Sequence, residues 1–265
     1  MGFGLIIIGD EIMSGKRRDQ HFAKVVELLG ERGLQLDWAE YLGDEPARIT
    51  ATLKRTMASG DVVFSCGGIG ATPDDHTRRC AADALGQALV LHPEGARLIQ
   101  QRISEMGDEA GKPADLASPE NLHRLKMAEF PAGAELIPNP YNKIAGFAVS
   151  NHYFVPGFPV MAWPMIAWVL DTHYSGLFNQ VARAEHAVLV YETAESALTP
   201  LMEALEAQYP LVKVFSLPSV GDASTRRHIE LGVKGEPAQC AAAFAQMRAE
   251  LLRMQAEHTE LTRRA

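Results

Sequence analysis

Two stretches, Phe3–Ile8 (FGLIII) and Asp61–Cys66 (DVVFSC), are almost unbroken apolar runs rich in β-branched and aromatic residues, and each ends on a glycine, Gly9 and Gly67. A strand with one wet face alternates apolar and polar residues; a run without alternation is covered on both faces, as in a parallel sheet sandwiched by helices. The intervening sequence supplies what such a sheet needs. Gln20 to Arg32 carries Phe22, Val25, Val26, Leu28 and Leu29 on one side and meets Gly33 as a stop, Leu34 to Leu42 reads as a strand, and Asp44 is placed to cap a helix from Pro46 to about Ala58. A further helix is expected from the glycine turn to about Leu85. Strand and helix alternating with short joints predict an α/β fold, a three-layer, doubly wound, mostly parallel sheet.

Later segments extend the same unit. Residues 107–120 (GDEAGKPADLASPE) read as an exposed loop, Gly146 to Val155 as a hairpin around Ser150-Asn151-His152, and Val160 to His173 as an apolar helix that closes the domain. Met161, Trp163, Met165 and Trp168 on that helix suit a core or a subunit contact rather than a cofactor. A different rhythm begins near Arg183: strand, helix, strand, strand, helix, ending near Gln255. The expected organisation is an α/β domain over 1–174, a linker from Ser175 to Ala182, and a small α+β (β-α-β-β-α) domain over 183–265.

Charge and cysteine usage narrow the partners. With 33 acidic against 25 basic side chains, the net charge of −8 argues against a general grip on nucleic acid or an anionic membrane. Cys66, Cys80 and Cys240 are odd in number and lack metal-type spacing, as do His76, His92 and His123, so no disulfide framework or zinc site is indicated and a reducing cytoplasm is expected. Phe3–Ile8 is too short for a membrane span or a signal core, and the chain is expected to be soluble and unprocessed. Arg226 and Arg227, beside a strand start, read as a solvated or interface edge.

Chemistry concentrates in Ser65–Thr77, SCGGIGATPDDHT. Gly67, Gly68 and Gly70 follow a buried strand, where absent side chains let a ligand approach backbone N–H groups. Thr72 suits a helix N-cap, Pro73 a first helical position and Asp75 a capping box, a reading that needs no chemistry at all. Neither common nucleotide motif fits. The series from Gly68 reaches Gly70 and then Pro73 instead of a third glycine, while in GDEIMSGKRR five residues rather than four separate Gly9 from Gly15 and Arg17 replaces the magnesium-binding Ser or Thr. Gly9, Asp10, Glu11 and Ser14 follow the first strand as Gly67 to Asp75 follow the third, so both loops belong at the carboxyl ends of parallel strands and share a site. A carboxylate and a phosphate about 4 Å apart repel by about 4 kcal/mol at an effective dielectric of about 20. A divalent cation (Mg, Mn or Co) on Asp75 together with Asp44 or Asp10 turns that repulsion into a bridge. In IPNPYNKIAGF, Pro138 and Pro140 stiffen a bend that presents Asn139, and Lys143 is either a phosphate contact or a solvated side chain.

Taken in order, GDEIMSGKRRDQ, LGDEP, GGIGATPDDHTR and IPNP followed by VPGFP resemble the molybdopterin-binding domain shared by molybdopterin adenylyltransferases and the N-terminal part of competence/damage-inducible protein A, over about residues 4–170. YPLVKVFSLPSVGDASTRRHIELGVKG is similar to the small second domain of the competence-protein branch; the chain ends at Ala265, short of the amidohydrolase domain of longer members. The resemblance implies a pocket for a phosphorylated small molecule, molybdopterin or an adenine nucleotide. It makes Asp44 and Asp75 the leading catalytic or metal-binding positions and Gly9, Asp10, Glu11, Ser14, Gly67, Gly68, Gly70, Thr72, Asp74, Thr77, Asn139 and Lys143 the ligand-binding set. In one branch this pocket joins AMP to the pterin phosphate; in the other, related domains hydrolyse the pyrophosphate of ADP-ribose or FAD with divalent metal and potassium. Three functions follow as expectations: a metal-dependent nucleotide pyrophosphatase, a molybdopterin adenylyltransferase, or a non-catalytic pterin or nucleotide module. Relatives self-associate, which implies a homo-oligomer. Where many relatives carry a small, glycine-containing segment after Pro-Asn-Pro, this chain has Tyr141-Asn142-Lys143-Ile144-Ala145-Gly146, bulk in place of permissive backbone.

Overall fold

The computed structural model describes residues 1–109, 111, 114–180, 183–222 and 224–261. Its first unit is Met1–Phe178 and its second Asn179–Ala265. In the first, β1 (Phe3–Ile8) leads through a single short turn of helix, α1 (Asp10–Met13), to α2 (His21–Gly30). Then come β2 (Trp38–Leu42), α3 (Pro46–Met57), β3 (Val62–Cys66) and α4 (Thr77–Leu85). A side layer follows: β4 (Leu89–Leu91), α5 (Pro93–Glu109), α6 (Pro119–Leu125) and β5 (Glu129–Pro131). The unit ends with β6 (Glu135–Ile137), β7 (Gly146–Val149), β8 (His152–Val155) and α7 (Pro159–His173).

Among the described residues the main sheet runs β2-β1-β3-β8-β7-β6, with β2, β1, β3 and β8 parallel and β7 antiparallel to both its neighbours. Each central strand is buried on both faces, and the alternation of side chains sorts them into two cores. Leu5, Ile7, Phe64, Tyr153 and Val155 meet Val25, Leu29, Met165 and Val169 from α2 and α7 on one side; Ile6, Ile8, Val63 and Phe154 meet Ile49, Leu53, Cys80 and Ala81 from α3 and α4 on the other. These are the three layers that the unbroken apolar runs imply.

Several local expectations are corrected. The second strand begins at Trp38, not Leu34: Gly33 takes a left-handed turn at φ 69°, and Leu34 and Leu36 pack on the core before the chain pairs with β1. The helix expected at Pro73 begins at Thr77, because Thr72 and Asp75 close a separate turn. Asp44 does not cap α3; Glu45 is the N-cap residue, and the Asp44 carboxylate faces Asp10 instead. Residues 107–109 and 119–120 of the expected loop are helical, Ala110, Lys112 and Pro113 lie outside the described residues, and Ser175–Leu177 of the expected linker forms a 3₁₀ turn, with Val181 and Ala182 outside the described residues. The hairpin turn at Ser150 (φ 50°) and Asn151 (φ 58°) has the two left-handed residues that a tight two-residue connection requires.

The second unit comprises β9 (Ala184–Tyr191), α8 (Glu195–Gln208), β10 (Val212–Ser219), β11 (His228–Gly235), α9 (Pro237–Arg253) and β12 (His258–Leu261). Its antiparallel sheet, β10-β11-β9-β12, has one strand more than the sequence pattern suggests, and Val188, Leu231 and Val233 face Leu198, Leu205 and Met247 of the helices.

Away from the glycine loops, at the start of β8, His152 is fully buried. Its Nδ1 lies 2.9 Å from the Ser150 carbonyl and donates to it; in the neutral ring Nε2 then accepts the single proton of Thr56 Oγ1, 2.8 Å away, in competition with the Thr52 and Leu53 carbonyls at 3.0 and 3.3 Å. Burial holds its pKa below the ordinary histidine value, opposed by the Ser150 contact. A histidine kept neutral by the fold adds stability above its unfolded pKa of about 6.5 and loses it as the pH falls below that value. The stability difference between wild type and His152→Gln, read by urea melts, is therefore expected to shrink between pH 7.5 and pH 5; an unchanged difference would contradict a neutral buried ring.

Candidate functional site: a crevice between two glycine loops

The chain leaves β1 toward β2 on one side and returns in β3 on the other, so the loops after β1 and β3 diverge and open a crevice at the carboxyl ends of the strands. Gly9 and Gly67 begin the two walls. Gly67 has φ 108°, and a Cβ there would lie 2.2 Å from the Ile8 carbonyl oxygen, a backbone atom that cannot move aside. Only glycine lets the third strand's loop cross the first so closely. Gly68 (φ 67°) and Gly70 are crowded instead by Thr77 Oγ1 and the Asp75 carboxylate, at 2.2 and 2.6 Å from a built Cβ.

The turn's peptide groups are aimed from behind. Thr77, buried at the start of α4, donates Oγ1–H to the Gly67 carbonyl (3.1 Å) and its N–H to the Gly68 carbonyl (3.0 Å). Arg78, also buried, donates Nη2–H to the Gly70 carbonyl (2.6 Å) and Nη1–H to the Lys126 carbonyl, and His123 donates Nε2–H to the Ala71 carbonyl (2.5 Å). A trans peptide points its N–H opposite to its C=O. With the carbonyls of 67, 68, 70 and 71 held back, the following N–H groups turn the other way. Of these, the N–H groups of Gly68, Ile69 and Ala71 have no acceptor among the described residues, nor has that of Gly70, which follows the Ile69 carbonyl and is not aimed in this way; the Thr72 N–H and hydroxyl both donate to Asp75 Oδ2, at 2.8 and 2.5 Å. Four free donors in a row have the chemistry that suits an anion.

The facing wall is acidic. The Asp10 N–H donates to Asp44 Oδ2 (2.8 Å) and the Asp44 N–H to Asp10 Oδ1 (3.1 Å), a reciprocal clasp of the β1 and β2 loops, while Glu11 is 3.8 Å from Arg17. Gly43 makes room for this clasp, since a Cβ there would stand 2.5 Å from Asp10 Oδ1. Burial raises the Asp44 pKa above the ordinary carboxylate range, and the charges of Asp10, Glu11 and Asp74 add to the rise; the Asp10 N–H opposes it.

The expected site residues therefore separate. Gly9, Asp10, Glu11, Asp44, Gly67, Gly68, Gly70 and Asp74 meet at the crevice, and Thr77 shapes it from below. Asp75 is turned inward on Thr72, and Asp74 is the acid of that pair whose charge reaches Asp44. Ser14 is exposed with its hydroxyl on the Glu11 carbonyl at 3.5 Å. Asn139 is buried and spends its amide inside its own turn, on Asn142 Oδ1 (2.8 Å), the Ile144 carbonyl (3.0 Å) and the Tyr141 N–H (3.0 Å). Lys143 forms an ion pair with Glu105. Among the described residues no three His, Cys, Asp or Glu side chains stand ready to hold a metal ion.

Sequence reasoning missed Arg78, His123 and Gly157. Arg78 had a signal: it lies three and four residues before the buried Ala81 and Ala82, on the inward face of α4. His123 and Gly157 reach the crevice only through tertiary structure.

Glycine loops at the carboxyl ends of parallel strands in a 2-1-3 sheet define a class of α/β domain with a crevice where that topology places ligands. Residues 4–175 match the family described as "Probable molybdopterin binding domain", and the chain belongs to that family. A CinA-like protein of Syntrophotalea carbinolica is 29% identical over 237 residues, 84% of this chain and 55% of that protein. One from an Anaeromyxobacter species is 32% identical over 160 residues, 59% of this chain and 37% of that protein. This chain thus spans about half or less of these relatives. The crystal structure of CinA from Thermoplasma acidophilum, described as of unknown function, superposes with a TM-score of 0.54 at 24% identity, covering 64% of this chain and 98% of that one, and it supports the fold. No helix among the described residues is long and apolar enough to cross a membrane.

Two outcomes test the walls separately. Gly67→Ala is expected to destabilise the first unit by about 2–4 kcal/mol, because strain at positive φ adds to a backbone clash; a melt within error of wild type would refute the close crossing. Asp44→Asn keeps an acceptor for the Asp10 N–H but removes a charge that the fold disfavours. A raised carboxyl pKa costs nothing below the unfolded value and costs stability as the pH rises through the folded one. The variant should therefore melt about 1–3 °C above wild type at pH 7 and level with it near pH 4.

Proposed function

We infer that this chain is a metal-assisted nucleotide pyrophosphatase acting on a diphosphate of the ADP-ribose or FAD type. One observation carries the reading: four unpaired N–H donors, Gly68 to Ala71, share a crevice with the acids Asp10, Glu11, Asp44 and Asp74. Donors alone suit any anion, and acids alone suit a cation. Both together suit a phosphate that arrives with its counter-cation. A Mg, Mn or Co ion there, with potassium as a possible second cation, supplies charge neutralisation and polarises the phosphorus–oxygen bonds. Magnesium-type ions use one or two carboxylates with substrate phosphates and water, and Asp10 and Asp44, clasped through each other's N–H, are such a pair.

The chain's own groups have distinct roles in this reading. The amides of Gly68 to Ala71 hold non-bridging phosphate oxygens and strengthen their hold as charge develops in the transition state. Asp44, more basic than an ordinary carboxylate, takes the proton from an attacking water. The water oxygen bonds to phosphorus, the bond to the bridging oxygen breaks, and the departing phosphate carries that electron pair. Arg78 and Thr77 keep the amides aimed. Membership of a molybdopterin-binding family favours a second reading, a molybdopterin adenylyltransferase, in which a pterin phosphate attacks in place of water.

Incubation with ADP-ribose, FAD, or ATP plus molybdopterin, each with Mg, Mn or Co, separates the readings by product. AMP with a sugar phosphate or a flavin phosphate marks hydrolysis, adenylylated pterin marks transfer, and binding without turnover leaves a module. Asp44→Asn is expected to lower hydrolysis by about 10²–10⁴-fold while retaining nucleotide binding. Asp74→Asn should raise the metal concentration needed for half-maximal rate, and Asp75→Asn should act less on that concentration than Asp74→Asn. The reverse order for 74 and 75 would return the cation to Asp75.

A further inference from the structure

Beside the glycine crevice lies a cavity of about 40 Å³ that the mechanism leaves unused, lined by Glu11, Arg17, Gln20, His21, Cys66 and Gly157 among others. It adjoins the phosphate turn, since a Cβ on Gly157 would stand 3.5 Å from the Gly67 Cα. His21, the first residue of α2, is only 4% exposed. Its Nε2 lies 3.1 Å from the Gly157 carbonyl. A carbonyl only accepts, so Nε2 carries the proton, and in the neutral ring Nδ1 is a bare acceptor. That Nδ1 is buried and has no partner among the described residues. The N–H groups of His21 and Phe22 and the Tyr41 hydroxyl all go to Asp19, and no donor of Arg17, Arg18 or Gln20, which line the same cavity, hydrogen-bonds this nitrogen.

A buried acceptor without a donor is costly, and native structures keep few of them. We propose that His21 is a specificity-determining residue whose Nδ1 accepts a hydrogen bond from a hydroxyl or amino group of the ligand held on the 68–71 amides. The volume exceeds the roughly 10–15 Å³ that a single water needs, so it admits such a polar tip. The inference rests on the pyrophosphatase reading of the crevice and adds what that reading lacks, a group that tells a nucleotide from bare diphosphate.

Asparagine places its amide oxygen near the position of histidine Nδ1, and glutamine places its amide nitrogen near that of Nε2. His21→Asn thus keeps the acceptor and loses the Gly157 link, while His21→Gln does the opposite. Calorimetry with Mg²⁺ and either ADP-ribose or inorganic pyrophosphate separates the roles. His21→Gln is expected to weaken ADP-ribose about five- to tenfold, the worth of one net hydrogen bond, with pyrophosphate changed less than about twofold. His21→Asn should hold ADP-ribose within about twofold of wild type. Indifference of both variants, as for a cavity holding only water, or equal loss in both, as for a structural tie to Gly157, overturns the proposal while leaving the crevice intact. Failure of wild type to bind pyrophosphate at all overturns the crevice reading, and this proposal falls with it. Nitrogen-15 NMR of unliganded wild type gives an independent check: a bare Nδ1 and a protonated Nε2 are expected at His21, and the opposite tautomer overturns the proposal without any variant.

Discussion

The orientation of a few peptide planes governs the candidate site. Thr77 and Arg78, adjacent at the start of α4, together hold the carbonyls of Gly67, Gly68 and Gly70. Because a trans peptide has no freedom to point both its groups the same way, fixing those carbonyls fixes the N–H groups that follow them. The arrangement costs something. Burial lowers the Arg78 pKa, and its Nε has no partner among the described residues; the charges of Asp75 and Glu129 act in the other direction. A buried guanidinium is retained here for geometry, with Asp75 serving as its nearby countercharge, which explains why a second acid follows Asp74 in a loop built for an anion.

The same arrangement resolves an electrostatic conflict. Acids crowd the opposite wall, where Asp44 and Asp10 each accept the other's N–H and each places a like charge beside the other. Those hydrogen bonds are worth less than their geometry suggests, because carboxylate repulsion is paid alongside them. A protein selected only for stability would neutralise one partner. Retention of both leaves a wall of like charge, and the Asp44 pKa is raised first by burial and then by the charges of Asp10, Glu11 and Asp74.

Much of this fold was legible because its signals are local. Phe3–Ile8 and Val62–Cys66 announce doubly covered strands by lacking alternation, and Ser150-Asn151 announces a tight turn through its tolerance of left-handed backbone. The errors share a cause. Thr72-Pro73-Asp-Asp is a good helix start by propensity, yet helix α4 begins only at Thr77, where the chain can also reach back to Gly67 and Gly68; tertiary hydrogen bonds outweighed a local cap. Asp44 likewise faces a residue 34 positions away rather than the helix beside it. Of the site, the glycines and acids could be read, since their chemistry is in their side chains or the lack of them. The burial of His21 could not, because it depends on a carbonyl 136 positions away that occupies one ring nitrogen.

The segment Tyr141–Gly146 is a bend held by its own polar groups and by the side layer. Asn139 spends its oxygen and nitrogen on the turn itself, and Lys143 adopts φ 65°, a left-handed conformation that costs a residue with a Cβ about 1–2 kcal/mol. Two contacts offset that strain: the ion pair of Lys143 with Glu105 on α5, which lowers the Glu105 pKa, and the Asn142 oxygen accepting the Ile144 N–H at 3.0 Å. A lysine so engaged is neutralised before any phosphate arrives. The bulk that replaces a glycine-containing segment therefore does not add a positive charge to the site; it ties the bend to the side layer. What the crevice offers an anion is therefore main-chain donors, the N–H groups of Gly68 to Ala71, and no lysine from this bend.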